Sequence, residues 1–138
     1  MIVVDANVIV YLTLTCDRTP EAQRLQAADP YWLVPVLWAH EYLNVVVQYV
    51  RRALLSESNA VRVWRETYAA FHMREQEVNM VAALRLAYKN DMTGYDAQYV
   101  ALAEHLDLPL VTEDKRVLRA FTQRAFSITD YLDAQMSA

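Results

Sequence analysis

The sequence predicts a small α/β domain in which a parallel sheet is flanked by helices. The chain has 138 residues, of which 55% are hydrophobic and 22% are charged, and this is the size and composition of one globular domain. Short apolar runs alternate with longer stretches whose apolar residues recur every three or four positions. Because parallel strands are joined by crossover segments that are usually helices, this alternation predicts one domain over residues 1–138.

Four short segments are predicted to be strands. The first is the β-branched run Ile-Val-Val that ends at Asp5, which is typical of a buried parallel strand. Pro35 ends the second run, because proline has no N–H group to donate to a neighbouring strand. The predicted strands are 2–4, 32–34, 108–111 and 126–128.

The segments between these strands carry helix signals. Thr19-Pro20-Glu21 begins a helix with proline in its first turn. Two later stretches each place their apolar residues on one helical face, and a polar break at 72–77 separates them. Their apolar stripes are Val61, Trp64, Tyr68 and Phe71, and Val78, Val81, Leu84 and Tyr88. The first predicted helix begins at residue 7, and others cover 19–29, 36–54, 95–106 and 113–121. One further helix follows the cap Ser56 or Ser58, another follows the break at 72–77, and Thr129 caps a short last helix.

Composition excludes several classes of function. The only glycine is Gly94, whereas the phosphate-binding loops of NTPases and dinucleotide-binding domains need several glycines. The single cysteine, Cys16, excludes an internal disulfide and a cysteine-based zinc cluster. The three histidines lack the spacing of a metal-binding helix, and no serine lies in a nucleophile motif. If the chain is an enzyme, carboxylates are therefore the expected working groups.

Hydropathy and charge indicate where the protein acts. No run approaches the ~20 apolar residues of a membrane span, and Asp5 and Asn7 interrupt the apolar start, which no basic region precedes. We therefore expect a cytoplasmic protein with no membrane partner and no signal peptide.

The net charge is −4, yet residues 1–50 hold only Arg18 and Arg24 as basic residues. A solvated surface and a phosphate-binding face both remain open for the later arginines.

Two aspartates follow predicted strands. Asp5 ends the first strand, and Asp114 follows the strand at 108–111 in the run Val-Thr-Glu-Asp. Either residue would serve as the N-cap of the helix that comes next. However, the carboxyl ends of parallel strands lie at one edge of the sheet, where ligands of open α/β sheets bind. Two aspartates at one edge indicate a metal site, to which Thr112 could add a hydroxyl.

Two further acids complete the set. Glu41 lies within an almost wholly apolar helix, so it either occupies the one polar face or needs a partner, since burying a lone carboxylate is costly. Asp96 falls in a first helical turn, where the helix dipole favours an acid, and Asp91 is interpreted as a turn residue. Together the four acids indicate a site for Mg²⁺ or Mn²⁺, which prefer oxygen ligands and activate water near phosphates.

The same acids carry a resemblance to a known family. The chain resembles the PIN domain, and most closely the small VapC-type toxins of prokaryotic toxin–antitoxin pairs. The resemblance covers essentially the whole chain, although residues 51–78 match by helical pattern alone. The segments that carry it are Val-Val-Asp-Ala-Asn-Val at 3–8, Glu41 in the helix after a proline, Tyr-Asp-Ala-Gln-Tyr-Val-Ala-Leu-Ala at 95–103 and Pro-Leu-Val-Thr-Glu-Asp at 109–114.

The resemblance implies an endoribonuclease that depends on Mg²⁺ or Mn²⁺. Asp5 and Asp96 would be the main metal ligands, with Asp114 close by or acting through water. Glu41 would orient or deprotonate the water that attacks a phosphodiester of the RNA substrate. The implied catalytic set is thus Asp5, Glu41, Asp96 and Asp114.

The resemblance also implies supporting residues and partners. Asn7 and Thr112 would hold the acids by hydrogen bonds. Family members usually form homodimers, and a small antitoxin protein blocks the site. From charge alone, we predict that a set of basic residues contacts the RNA backbone, namely Arg51, Arg52, Lys115, Arg116 and Arg119.

Three other protein classes share part of this pattern. A phosphatase of the haloacid-dehalogenase type needs a second aspartate where this chain has Asn7. A receiver domain needs a threonine and a lysine from separate strands, and Thr112 and Lys115 are too close in sequence. The remaining alternative is a catalytically inactive PIN-like module that only binds RNA or a protein.

Overall fold

A five-stranded sheet, parallel throughout, organises the computed structural model, which describes all 138 residues. The strand order is β3-β2-β1-β4-β5. The strands are β1 Ile2–Val4, β2 Trp32–Pro35, β3 Glu75–Gln76, β4 Leu110–Val111 and β5 Ala125–Phe126. The predicted α/β class, with a small parallel sheet flanked by helices, is confirmed.

Eight helices surround the sheet. They are α1 Ala6–Thr13, α2 Thr19–Ala28, α3 Leu37–Arg51, α4 Glu57–His72, α5 Met80–Lys89, α6 Gly94–Leu106, α7 Lys115–Ala120 and α8 Ile128–Met136. The two faces of the sheet have separate cores. Trp38, Tyr42 and Phe71 fill the first, and Tyr99 and Leu102 belong to the second. None of the helices combines the length and the apolar character that a bilayer span requires.

One strand and one cap differ from the sequence-based prediction. β3 lies inside the predicted polar break at 72–77, because Glu75–Gln76 is a half-buried edge strand with no apolar run to mark it. The prediction that Thr129 caps the last helix is wrong. Ser127 is the N-cap, since its side chain accepts a hydrogen bond from the Asp130 N–H at 3.0 Å. The last strand therefore ends before Ile128.

The apolar stripes of α4 and α5 are helical as predicted, except that Val78 lies before α5, and most of their residues lie at the surface. On α4, Phe71 is buried while Tyr68 is exposed and stacks on Trp64, with ring centroids 5.6 Å apart. On α5, Leu84 and Tyr88 are exposed. α5 packs on α6 through alanines, which are Ala83, Ala97 and Ala101.

The strand order creates a switch point between β1 and β4. From β1 the chain builds outward to β2 and β3, and then crosses back to place β4 on the other side of β1. The crossover helices leave a crevice at such a point, at the carboxyl ends of the strands. Val4 pairs with Val111 across this junction. The residues that follow them, Asp5 and Thr112, therefore leave the sheet side by side.

Candidate active site

Asp5 stands at the switch point, and its carboxylate does not cap a helix. It occupies the N-cap position of α1, but no backbone N–H of that helix is bound by its side chain. Its Oδ2 instead accepts a hydrogen bond from the hydroxyl of Thr112 at 2.8 Å. Thr112 is fully buried at the end of β4. The hydroxyl therefore fixes the Asp5 carboxylate across the junction.

Asp114 does cap a helix. Its Oδ1 accepts hydrogen bonds from the N–H groups of Arg116 at 2.9 Å and Val117 at 3.2 Å, at the start of α7. Its own N–H donates to the Thr112 hydroxyl at 3.1 Å. One threonine oxygen thus connects the two predicted acids that follow β1 and β4. Capping uses only one oxygen of Asp114, so Oδ2 is available to a ligand.

Asp96 lies in the first turn of α6, which Thr93 caps. The Thr93 hydroxyl accepts a hydrogen bond from the Asp96 N–H at 3.0 Å. Burial raises the pKa of the Asp96 carboxyl, and the nearby negative charge of Asp114 raises it further, while Arg116 acts in the opposite direction. The half-buried Asp96 therefore shares its electrostatic environment with Asp114.

Glu41 projects from α3 and finds a buried partner on α6. The hydroxyl of Tyr99 donates a hydrogen bond to Glu41 Oε1 at 2.6 Å. Tyr99 is 1% exposed, and burial together with the charges of Asp5 and Glu41 raises its pKa far above the usual range. The phenol consequently stays protonated and donates. The sequence analysis missed Tyr99, although it lies three residues after Asp96 and so on the same side of α6.

The acids act on one another's ionisation. Burial raises the pKa of Asp5 to about 7, and the charges of Glu41 and Asp96 contribute, against the Thr112 hydrogen bond. Burial also raises the pKa of Glu41, with a contribution from Asp96. None of the four acids forms an ion pair with a basic side chain. The cluster is therefore a concentration of negative charge that no ion pair balances, and Arg116 is the basic side chain that lowers the pKa of one of its acids.

The oxygen donors fit a hydrated divalent cation. No three His, Cys, Asp or Glu side chains are grouped so that they alone could hold a metal ion. Mg²⁺ takes only one or two carboxylates directly and keeps several waters, so an open set of this kind suits Mg²⁺ or Mn²⁺. Asn7, two residues after Asp5, has a buried Oδ1 with no hydrogen-bond partner. The structure shows no hydrogen bond from the Asn7 side chain to an acid, and its oxygen is an acceptor that no protein donor satisfies.

The predicted phosphate-binding residues divide into two groups. Lys115, Arg116 and Arg119 are exposed on α7, directly after Asp114. Arg51 and Arg52 lie at the other end of α3 from Glu41, and ten residues of helix place them about 15 Å along its axis. The structure therefore brings the α7 residues to the edge that carries the acids and leaves Arg51 and Arg52 away from it.

Comparison with known proteins assigns the family. The family model described as PIN domain matches residues 2–122. The chain belongs to the PIN domain family. Among curated PIN relatives, Ribonuclease VapC3 of Pyrobaculum aerophilum is 34% identical over 125 residues, which are 87% of this chain and 94% of the relative.

Solved structures share this PIN fold. A crystal structure of a Pyrobaculum aerophilum protein has a TM-score of 0.76 at 23% identity, covering 99% of this chain and 96% of that one. A toxin–antitoxin complex from Klebsiella pneumoniae has a TM-score of 0.66 at 16% identity, covering 93% of this chain and 98% of its own. The arrangement of strands and helices is therefore that of other PIN-like chains.

The raised pKa of Asp5 predicts a pH-dependent loss of stability. The carboxyl ionises near pH 4 in the unfolded chain but near 7 in the folded metal-free protein. The loss of stability caused by ionised Asp5 is thus absent below pH 4, grows as pH rises from 4 to 7, and is complete above 7. We expect Asp5→Asn to stabilise the apo protein by about 1 kcal/mol at pH 8 and hardly at all at pH 4, measured by thermal melts in chelator.

A surface acid provides the control for these melts. Asp133→Asn changes an exposed side chain of α8 and should leave the stability at both pH values nearly unchanged. Millimolar Mg²⁺ should raise the melting temperature of the wild type far more than that of Asp5→Asn or Asp96→Asn, because only an intact site binds the ion. A wild type that ignores Mg²⁺, with Asp5→Asn less stable at pH 8, would show that these acids have a purely structural role.

The Tyr99–Glu41 hydrogen bond predicts a strong coupling between α3 and α6. Tyr99→Phe keeps the buried ring but leaves Glu41 without its donor, so we expect a loss of about 1–3 kcal/mol in the free energy of unfolding. In a Glu41→Ala background the same change should be nearly neutral, and denaturant titrations of the four proteins measure the difference. Tyr95→Phe, at an exposed position, is the matched control. Additive losses would contradict the coupling.

Proposed function

We propose that the protein is an endoribonuclease that depends on Mg²⁺ or Mn²⁺ and is the toxin of a VapC-type toxin–antitoxin pair. The observation that carries the proposal is the unbalanced acid cluster at the β1–β4 switch point of a PIN domain. The 34% identity with Ribonuclease VapC3 supports RNA as the substrate. Cleavage of cellular RNA would place the protein in the cytoplasm.

Each acid has a distinct proposed role. Asp5 and Asp96 hold the cation, and Asp114 contributes through Oδ2, directly or by way of water. When bound, the ion withdraws charge from a phosphate oxygen and lowers the pKa of nearby water. Glu41 Oε1 is engaged by Tyr99, so Oε2 is free to take the proton of the attacking water. Burial raises the pKa of Glu41, which makes its carboxylate a stronger base.

The remaining residues of the site hold the acids and the substrate. Thr112 orients Asp5 through its hydroxyl, whereas Asn7 offers a buried Oδ1 that a donor of a bound water or substrate could satisfy. Lys115, Arg116 and Arg119 are exposed, are not in ion pairs, and begin directly after Asp114. Lysine and arginine at such an edge bind phosphates of a nucleic-acid backbone. We therefore propose that α7, and not α3, binds the phosphates of the RNA backbone.

Exposed apolar surface supports protein partners. On α5, the stripe of Val81, Leu84 and Tyr88 is 57%, 63% and 69% exposed. A separate apolar groove runs between α3 and α4 and is bordered by Trp64 and Arg65. The structural neighbour from Klebsiella pneumoniae is a toxin–antitoxin complex. We infer that this chain also binds a small antitoxin and that it forms a homodimer through the α5 stripe.

Asp96→Asn tests the proposed catalysis. The variant should keep its fold but lose at least about 100-fold of the cleavage rate on single-stranded RNA, since an amide cannot replace a carboxylate at a hard cation. Asp91→Asn is the matched control. Asp91 is an exposed turn residue with a φ of 51°, a conformation that asparagine tolerates. Gel assays with Mg²⁺, with and without chelator, measure both variants.

The same assay separates the proposed enzyme from an inactive binding module. An enzyme of this kind should lose its cleavage in chelator and regain it when Mg²⁺ or Mn²⁺ is restored. Wild-type protein that binds RNA without cutting it would establish the binding module instead. Near-normal cleavage by folded Asp96→Asn would refute the assignment of the site.

Leu84→Glu tests the proposed homodimer. A charge in the middle of the α5 stripe should reduce the mass in light scattering from twice 16.0 kDa to the monomer value, because desolvating an unpaired carboxylate opposes association. Val61→Glu, on the exposed side of α4, should remain dimeric. A wild type that is monomeric at high concentration, with and without Mg²⁺, would exclude the homodimer.

A further inference from the structure

We propose that a pocket beside the acids binds one base of the RNA and so determines which sequences are cut. This proposal rests on the ribonuclease function proposed above and adds its specificity site. The pocket lies at the carboxyl ends of β2 and β3, between the start of α3 and α6, and has a volume of about 340 Å³. This volume lies within the range of small-ligand sites. Its walls combine polar and apolar side chains, among them Val36, His40, Gln76, Glu77, Met80 and Gln98.

The polar side chains of this base pocket have hydrogen-bonding capacity to spare. Gln98 and His40 make no side-chain hydrogen bond within the protein, and Gln76 uses only its Nε2, which donates to the carbonyl of Glu75 at 3.1 Å. A carboxamide presents a donor and an acceptor in one plane and reads the edge of a base. The Glu77 carboxylate can accept from an exocyclic amino group. These groups suit a nucleobase edge.

The other walls suit the face of a base and not a phosphate. Val36 and Met80 are 55% and 60% exposed where they border the pocket, and apolar side chains cover the flat faces of unstacked bases. No lysine or arginine lines the pocket, and Glu77 would repel an anion. An uncharged base with its amino and carbonyl groups is therefore the part of a nucleotide that fits.

The order of the strands places the base pocket on the path of the substrate. Along the carboxyl edge of the sheet come the pocket at β3 and β2, the acids at β1 and β4, and the basic helix α7 after β4. Neighbouring strands are ~4.8 Å apart, so about 10 Å separates the pocket from the acids. One or two extended nucleotides span about this distance. An RNA strand laid across the edge thus meets a base site, the cleavage site and a phosphate site in turn.

The pocket also shares its supporting elements with the acids. His40 precedes Glu41 on α3, and Gln98 lies two residues after Asp96 on α6. Each helix therefore carries one residue for the base and one for the chemistry, on different faces, so a base held by His40 and Gln98 fixes the strand relative to the acids through the helices themselves. Rigid elements that hold both groups convert base recognition into correct placement of the reacting bond.

Binding of short oligoribonucleotides tests the base pocket without cleavage. In the Asp96→Asn background, fluorescence anisotropy compares four oligomers that differ by A, C, G or U at one position. We expect about a tenfold spread in affinity at the position that enters the pocket, because recognition of one base provides discrimination of this size. Gln98→Ala should reduce the spread to below about threefold. His40→Ala should have the same effect, and because it changes an exposed side chain it replaces Gln98→Ala if that variant folds poorly. Gln135→Ala, on the exposed end of α8, should keep it.

Cleavage mapping on a mixed-sequence RNA gives the second measurement. Gln98→Ala should cut at less selective sites than the wild type, whereas Gln135→Ala should keep both the cleavage rate and the cleavage sites. An equal affinity for all four bases, or an unchanged spread in Gln98→Ala and His40→Ala, would overturn the base pocket even if the protein cleaves RNA. If base discrimination depends on Gln98 while the wild type cleaves nothing, the pocket stands and the ribonuclease proposal fails. Loss of dimer or antitoxin binding without a change in base preference would assign the pocket to a protein partner.

Discussion

The parallel pairing of β1 with β4 is the contact on which the site depends. It sets Val4 opposite Val111 and so delivers Asp5 and Thr112 to one point at the edge of the sheet. A shift of one residue in this register would turn Asp5 toward the opposite face, because side chains alternate along a strand. Both strands are buried on both faces, so burial of their apolar side chains holds them side by side, and the polar Asp5 and Thr112 follow where the apolar runs end. The geometry of the acids is therefore a consequence of hydrophobic packing a few ångströms away.

The site is stabilised locally by neutral donors, which hold the acids without removing their charge. The Thr112 hydroxyl, the Tyr99 phenol and the first N–H groups of α7 each engage one acid. An arginine or lysine in their place would hold the carboxylates more strongly but would also compete with a cation for them. Raised carboxyl pKa values are the energetic consequence of this choice. The acids therefore reduce the stability of the folded protein, and the burial of apolar side chains in its two cores offsets this loss.

The fold could be predicted from the sequence to a large extent because its signals are local. The Ile-Val-Val run and the proline at the start of α2 depend only on neighbouring residues. β3 has no such signal, since Glu75–Gln76 is polar and becomes a strand only by pairing with Val34 and Pro35. Ser127 and Thr129 both satisfy the pattern of a helix cap, and the preceding β5 decides which one is used.

The candidate site was less accessible to sequence reasoning because its contacts are distant along the chain. Asp5 and Asp114 each precede a helix, and the sequence does not show that Asp114 caps its helix while Asp5 accepts a hydrogen bond from Thr112, 107 residues away. Tyr99 fits the apolar pattern of α6, so its phenol attracts no notice until Glu41 is placed beside it. Arg51 and Arg52 were grouped with the α7 residues by charge, and the length of α3 separates them. Whether the four acids bind metal stays a prediction.

The outer strands of the sheet also limit how the protein can meet other chains. β3 and β5 have two residues each, so each edge offers only one or two free N–H and C=O groups. A partner strand cannot extend such an edge into a longer sheet, and neither can an unfolded copy of the same chain. Partners must therefore bind through helix faces, where side chains and not the backbone determine which protein binds. The brevity of these strands thus protects the protein from edge-to-edge aggregation while leaving its recognition surfaces free to diverge in sequence.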